Sequence, residues 1–511
     1  MQKSSDYSHP QTATGLGSAL PVPAELDRAP AQAPAGGSRR SLRAWIILGG
    51  TIAASLLLLL AGSPVLSVAI LVLLVAWVLR DALFTWTSGI GLLLMVLQFV
   101  PSRIYRLPFA SAFDLDPYRL GLFALALVWI VLSVARRRVL FTRTYLDAAI
   151  IVFLIAAAVS YLINASLFVP PSEFSMMVKS TAFLLSLPLT MYLVASNISD
   201  SGEALWLIDL VVASAGIVGV FAIAERLTQY NVFQHLDSFV PGLQYIDAAE
   251  RLSPIFRGAV RVAGPTAHPI AFATMLAMLL PLAIVRALEG RSKRGRIVSA
   301  TCAALIGVGI FLALSRTGVV GIATGGVVVL VGLPRRRSLL LWSAAGLLGV
   351  VHLVFRGLIG TLIEFFTPSY VLAQEVGNQN GRLSDYALAP QEILNRPFFG
   401  RGLNTFSPDR YTFLDNQYLK FVLELGVVGT AAYVFLMFRA VTVPFSAGRR
   451  LDGELGAVLI GLAAASAVFA VTSATFDTVG FPQVAYLFFA LAGLSAVIVN
   501  ERVRAGRGSR S

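Results

Sequence analysis

Four stretches of the 511-residue sequence hold side chains that could bind an anion or move a proton. They are RVAGPTAH with Arg261 and His268, LSRTG with Arg316, GRLSDY with Arg382 and Asp385, and DNQYLKFVLE with Asp415 through Glu424. Arginine is permanently charged, and its planar fork can meet a phosphate through two parallel hydrogen bonds. Several arginines brought to one cavity would suit a diphosphate, and an aspartate beside that anion could serve as a general base. Each residue also has a plainer use. Arg261 can snorkel to lipid headgroups, and Arg316 with Ser315 and Thr317 can form an ordinary hairpin turn. Arg382 can pair with Asp385 three residues on, and His268 can bond a neighbouring carbonyl.

The last stretch reads as the start of an apolar helix, with Asp415 or Asn416 as its N-cap and Tyr418 in its first turn. Asn416, Lys420 and Glu424 recur every fourth residue and so form one polar stripe. At the helical rise Glu424 lies about 12 Å below Asn416. A carboxylate at that depth must face the bundle interior, where a Lys420–Glu424 pair is the simplest arrangement. The four histidines (His9, His235, His268, His352) and the single Cys302 do not cluster, so no metal site is expected. GRG at 400–402 lacks the third glycine and the preceding strand of a nucleotide loop, and no cofactor motif is present.

The elements that must position these residues are membrane spans. The chain is 57% hydrophobic and 13% charged, with a mean hydropathy of +0.77, against about 25% charged for a soluble domain. Its net charge of +13 is not a nucleic-acid footprint. The basic residues gather in short loops at 136–138, 291–296, 335–337 and 449–450, which is how cytoplasmic loops are marked. Apolar runs at 44–62, 64–79, 82–100, 118–135, 145–163, 174–196, 204–225, 266–288, 297–314, 317–333, 338–358, 416–438, 457–473 and 483–499 are long enough, or nearly so, to span a bilayer. The expected fold is all-α, a polytopic transmembrane bundle of about 12–14 spans. Residues 1–38, rich in Pro, Ala, Ser and Gly, read as a disordered cytoplasmic tail. Residues 39–500 form the membrane domain, and 501–511 form a basic cytoplasmic tail. Counting outward from an internal N-terminus places 101–117, 164–173, 226–265 and 359–415 outside. The last of these is long enough to hold short helices, one of them from Leu383 to Leu394.

RVAGPTAHPIAFATML, LSRTGVVG, GRLSDY…NRPFFGRGLNTF and DNQYLKFVLELGVVG, in this order and on one predicted side, resemble the O-antigen ligase/polymerase family of bacterial membrane proteins over roughly residues 200–440. The resemblance implies a metal-independent inverting enzyme of the inner membrane. Such an enzyme transfers a glycan from an undecaprenyl-diphosphate donor to a hydroxyl on a glycan, lipid or protein acceptor. It assigns Arg261 and Arg316 to the diphosphate, makes Arg382 a third contact, and puts His268, Tyr418, Lys420 and Glu424 in support. Family members often carry a His-Asn pair, with histidine as the proposed base, where this chain has Asp415-Asn416. Aspartate is the weaker base, with an ordinary pKa near 3.9. Two other readings stay open. A transporter of polysaccharide or lipid-linked glycan would use polar residues near mid-membrane, such as Lys179, Asp209 and Asp477. A non-catalytic scaffold would not need the base. Ligase and polymerase share the same frame, and the oligomeric state is not encoded in these motifs.

Overall fold

The computed structural model describes residues 85–106, 116–135, 141–239, 243–245, 255–256, 259–355, 357–364, 367, 382–406 and 414–508. All lie in the second of two compact units, Asp81–Ser511. The tail at 1–38 and the expected spans at 44–62 and 64–79 lie outside the described residues.

Twelve apolar helices follow, one for each remaining expected span. They are α1 (Trp86–Phe99), α2 (Pro117–Ala135), α3 (Asp147–Ile163), α4 (Pro171–Asn197), α5 (Ser201–Thr228), α6 (Pro269–Glu289), α7 (Lys293–Leu312), α8 (Arg316–Gly332) and α9 (Arg337–Val354), then α12 (Gln417–Arg449), α13 (Gly453–Thr472) and α14 (Pro482–Gly508). Between α9 and α12 the described residues hold two short helices, α10 (Leu358–Glu364) and α11 (Arg382–Asn395), in the segment expected to hold them. Among the described residues nine helices are long and apolar enough to cross a bilayer, and α1, α3 and α8 are shorter apolar helices. Among the described residues four two-residue strands form two antiparallel pairs, β1 (Tyr105–Arg106) with β2 (Gln244–Tyr245) and β3 (Ile255–Phe256) with β4 (Ala259–Val260). The protein is a polytopic α-helical bundle.

Helix boundaries follow local chemistry. Asp200 caps α5 by accepting from the Glu203 amide, and Ser292 caps α7 by accepting from Gly295. The division around Arg316 is a real break, because Leu314 takes a left-handed φ of 48° before α8 starts. Pro390 does not interrupt α11, which runs through it to Asn395. The C-terminal basic run continues α14 as far as Gly508.

The bundle is built around α13 and α14, whose central windows are 89% and 100% buried, whereas that of α9 is only 6% buried. Apolar surface gains little by leaving lipid, so close approach must come from small residues. Gly321 and Gly325 of α8 provide it. A β-carbon on either would lie 2.8 Å from Ala277 Cβ or Pro281 Cγ of α6.

Candidate functional site

Arg261 leads a loop that is fixed almost atom by atom. Glu225, buried near the end of α5, accepts from the amides of Ala263 (3.1 Å) and Gly264 (3.0 Å). Asn231 Nδ2 donates to the Gly264 carbonyl at 3.0 Å. Gly264 itself has φ +51°, and a β-carbon there would sit 2.5 Å from the Phe272 ring, so this position requires glycine. The Val262 amide donates to the Leu312 carbonyl at 3.3 Å, which ties the residue after Arg261 to the turn that precedes Arg316. The loop ends at His268, the N-cap of α6. Its Nδ1 accepts from the Ile270 amide at 3.1 Å, where a bond to a carbonyl was expected. Burial pushes the imidazole down to about 4, and the nearby Arg261 charge adds to the shift.

Arg316 is the first residue of α8, half-buried behind the Leu314 turn. The next residue, Thr317, shares a 3.1 Å hydrogen bond with Thr475.

The start of α12 resolves the choice of cap. Asn416 Oδ1 accepts from Tyr418 (3.0 Å) and Leu419 (3.1 Å), while Asp415 precedes it and is exposed. Tyr418 Oη donates to the Ala470 carbonyl at 2.7 Å. The expected Lys420–Glu424 salt bridge does not form. Lys420 pairs instead with Asp477 at 2.7 Å, because the α13–α14 turn folds over this helix start. Glu424, wholly buried, accepts through Oε1 from the Phe406 amide at 3.4 Å.

Just below Glu424 the helix opens. Gly426 is non-helical at φ 67°, ψ −172°, and the 397–402 segment supplies hydrogen-bond partners. The amides of Val427 and Val428 donate to the carbonyls of Pro397 (2.9 Å) and Phe398 (3.2 Å). Those of Arg401 and Gly402 donate to the carbonyls of Leu423 (3.1 Å) and Glu424 (2.8 Å). Irregular backbone among spans is tolerated only when its polar groups are satisfied within the protein. The GRG run is therefore a packing device. A β-carbon on Gly400 would lie 2.4 Å from the Glu424 carbonyl carbon. The neighbouring arginines serve the same loop. Arg396 bonds Asn164 Oδ1, and Arg401 meets Glu392 at 3.2 Å and stands over the Phe406 ring. Arg382 opens α11, and its side chain lies outside the described residues.

One element joins the Arg261 loop, the Arg316 turn and the start of α12, and none of the sequence motifs includes it. It is the turn from Ser473 to Gln483, SATFDTVGFPQ, between α13 and α14. Thr475 reaches Thr317 beside Arg316, and Asp477 reaches Lys420. The Val479 amide donates to Gln417 Oε1 at 2.8 Å, and the Gln417 amide donates to the Ser473 carbonyl at 2.8 Å. The Phe481 ring lies 6.0 Å from that of His268. Gln483 Nε2 donates to the carbonyls of Pro265 (2.8 Å), Leu97 (3.0 Å) and Val100 (3.3 Å). It thereby holds the Arg261 loop against the end of α1. Arg103, left-handed at φ 67°, lies within electrostatic range of Lys420. Of the supposed mid-membrane charges, Asp477 belongs to this turn, and Asp209 pairs with Arg286 at 2.5 Å near the opposite end of α6. The signal that could have found the turn is its polar composition between two strongly apolar runs.

The turn thus collects the Arg261–His268 loop, the start of α8 and the start of α12 at one end of the bundle. Residues 301–434, from within α7 to the middle of α12, match the family model described as O-antigen ligase. No curated protein matches the chain. Over that segment the chain is similar to the O-antigen ligase family, and the match supports a general role as a membrane glycan ligase or polymerase.

Proposed function

We propose that the chain transfers or polymerises a glycan from an undecaprenyl-diphosphate-type donor to an acceptor hydroxyl on the extracytoplasmic face of a bacterial inner membrane. The observation that carries this reading is the Ser473–Gln483 turn, which draws the Arg261 loop and the Arg316 turn to the α12 start. Arg261 and Arg316 hold the diphosphate, with Arg382 as a further contact from α11. As the glycosidic bond breaks, the leaving diphosphate gains charge, and fixed guanidinium groups stabilise that charge more than the ground state. Asp415, exposed at the mouth beside the Asn416 cap, takes the acceptor proton, and the acceptor attacks from the face opposite the leaving group. That route inverts the anomeric carbon and needs no metal. Exposure gives Asp415 access to the acceptor, and rate depends chiefly on positioning and on leaving-group stabilisation.

Both termini lie in the cytoplasm on this reading. Its support is the gathering of basic turns at the end of the bundle away from the site. There Arg449 donates to the Val331 carbonyl, and Arg336 pairs with Glu289. A cavity of about 740 Å³ between α3 and α4, lined by Leu154, Leu162, Phe168, Phe174, Met177 and Leu185, has the apolar character an isoprenoid chain needs.

The test is replacement of Arg261 or Arg316 by alanine in cells that depend on the chain. Lipid-linked sugar should accumulate and mature glycan should vanish, while the protein still inserts. Undiminished product from both variants would overturn the diphosphate site.

A further inference from the structure

His268 is one of several buried polar groups at the site with an unmatched atom among the described residues. Its Nδ1 faces the Ile270 amide at 3.1 Å. A backbone N–H can only donate, so Nδ1 must be the acceptor and the ring proton sits on Nε2. That Nε2 is enclosed and has no hydrogen-bond partner among the described residues. A buried donor left unmatched costs about 1–3 kcal/mol and calls for a reason. The ring also stands within electrostatic range of Arg261 and at the N-terminus of α6. Both oppose a second positive charge there.

We propose that His268 is a neutral hydrogen-bond donor to the donor's diphosphate, reaching a phosphate oxygen through Nε2–H next to the Arg261 contact. The inference rests on the reading of Arg261 as a diphosphate ligand. No proton leaves the imidazole, which lacks a free lone pair to act as a base while Nδ1 holds the helix cap. Its part is to strengthen one hydrogen bond as charge builds on the leaving oxygen. A neutral imidazole does this without a cation repelling Arg261. The side chain is oriented in advance by the cap and by Thr266, whose hydroxyl bonds the His268 carbonyl at 2.9 Å. Because Nε2 is enclosed, docking must shift neighbouring side chains. The Phe481 ring, on the turn that organises the site, is one of them.

The experiment measures binding of undecaprenyl diphosphate to the full-length chain in detergent micelles. His268→Ser retains a good N-cap and loses Nε2–H. Its affinity should fall about tenfold to a hundredfold, with the unfolding temperature nearly unchanged. In wild type labelled with ¹⁵N-histidine, the His268 signal should report a neutral ring protonated at Nε2, and that resonance should move when the diphosphate is added. Wild-type affinity in His268→Ser would overturn the proposal, as would an imidazolium or an Nδ1–H ring. If His268→Ser does not fold, the ¹⁵N measurement decides. Arg261→Ala separates the two readings. Lost binding there with intact binding in His268→Ser removes only the histidine's role, whereas intact binding in Arg261→Ala removes the diphosphate site.

Discussion

The two ends of the bundle hold arginine in different ways. At the end with the basic turns, carboxylates tie helix termini together. Arg286 bridges Asp209 and Glu454, Arg291 reaches Glu454 at 3.0 Å, and Arg336 reaches Glu289 at 2.9 Å. At the other end, carboxylate and amide side chains grip the backbone that carries the arginines. Glu225 holds the amides of Ala263 and Gly264, Gln483 holds the carbonyls of Pro265 and Val100, and Gln417 holds Val479. In the first region ion pairs join helix ends. In the second, buried side chains hold the backbone of the Arg261 loop, and the Lys420–Asp477 pair adds to that grip.

Four substitutions or conditions should break or sharpen this contrast. Asp415→Asn should lower turnover by about 10²–10⁴-fold and leave binding of the lipid diphosphate within about twofold, read by steady-state transfer beside a binding assay. Full activity would make Asp415 only a neighbour of the Asn416 cap. Arg286→Ala leaves Asp209 without this partner and Glu454 with Arg291. It should cost about 1–3 kcal/mol, seen as a lower unfolding temperature in detergent, while the folded fraction keeps its affinity for the lipid diphosphate. Asp477→Asn should weaken the grip of the turn on Lys420. The expected loss is about 1–3 kcal/mol, accompanied by reduced transfer, and the exchanged pair Lys420→Asp with Asp477→Lys should recover part of both.

The smallest effect concerns acid. The His268 imidazole is pushed down to about 4, while an unfolded histidine titrates near 6.5. Below 6.5 the unfolded chain takes up a proton that the native site refuses. The stability from the neutral ring is therefore complete above 6.5 and is lost as pH falls toward 4. By pH 5 the loss should be about 1–2 kcal/mol, measurable as a fall in unfolding temperature that is shallower in His268→Ser.

Much of this was legible from residue order. Each apolar run in the described residues became a helix, since roughly 20 apolar residues among basic loops leave the backbone little alternative in a bilayer. Caps were equally local. Asn416 was one of two candidates, and the amides it accepts from are two and three residues away. The polar stripe also lay inward, with Glu424 wholly buried.

What residue order could not fix was which partner each polar group takes. Lys420 had Glu424 one turn away, yet it bonds Asp477, 57 positions on. Glu225 gave no sign that it would hold the amides of Ala263 and Gly264, and nothing in the GRG run showed that Gly400 would lie against the backbone of Glu424 and Leu425. Hydropathy, length and capping act within a few residues and are written in composition and spacing. The docking of the α13–α14 turn depends on how finished helices pack, and that packing alone brought Ser473–Gln483 against the Arg261 loop, the α8 start and the α12 start.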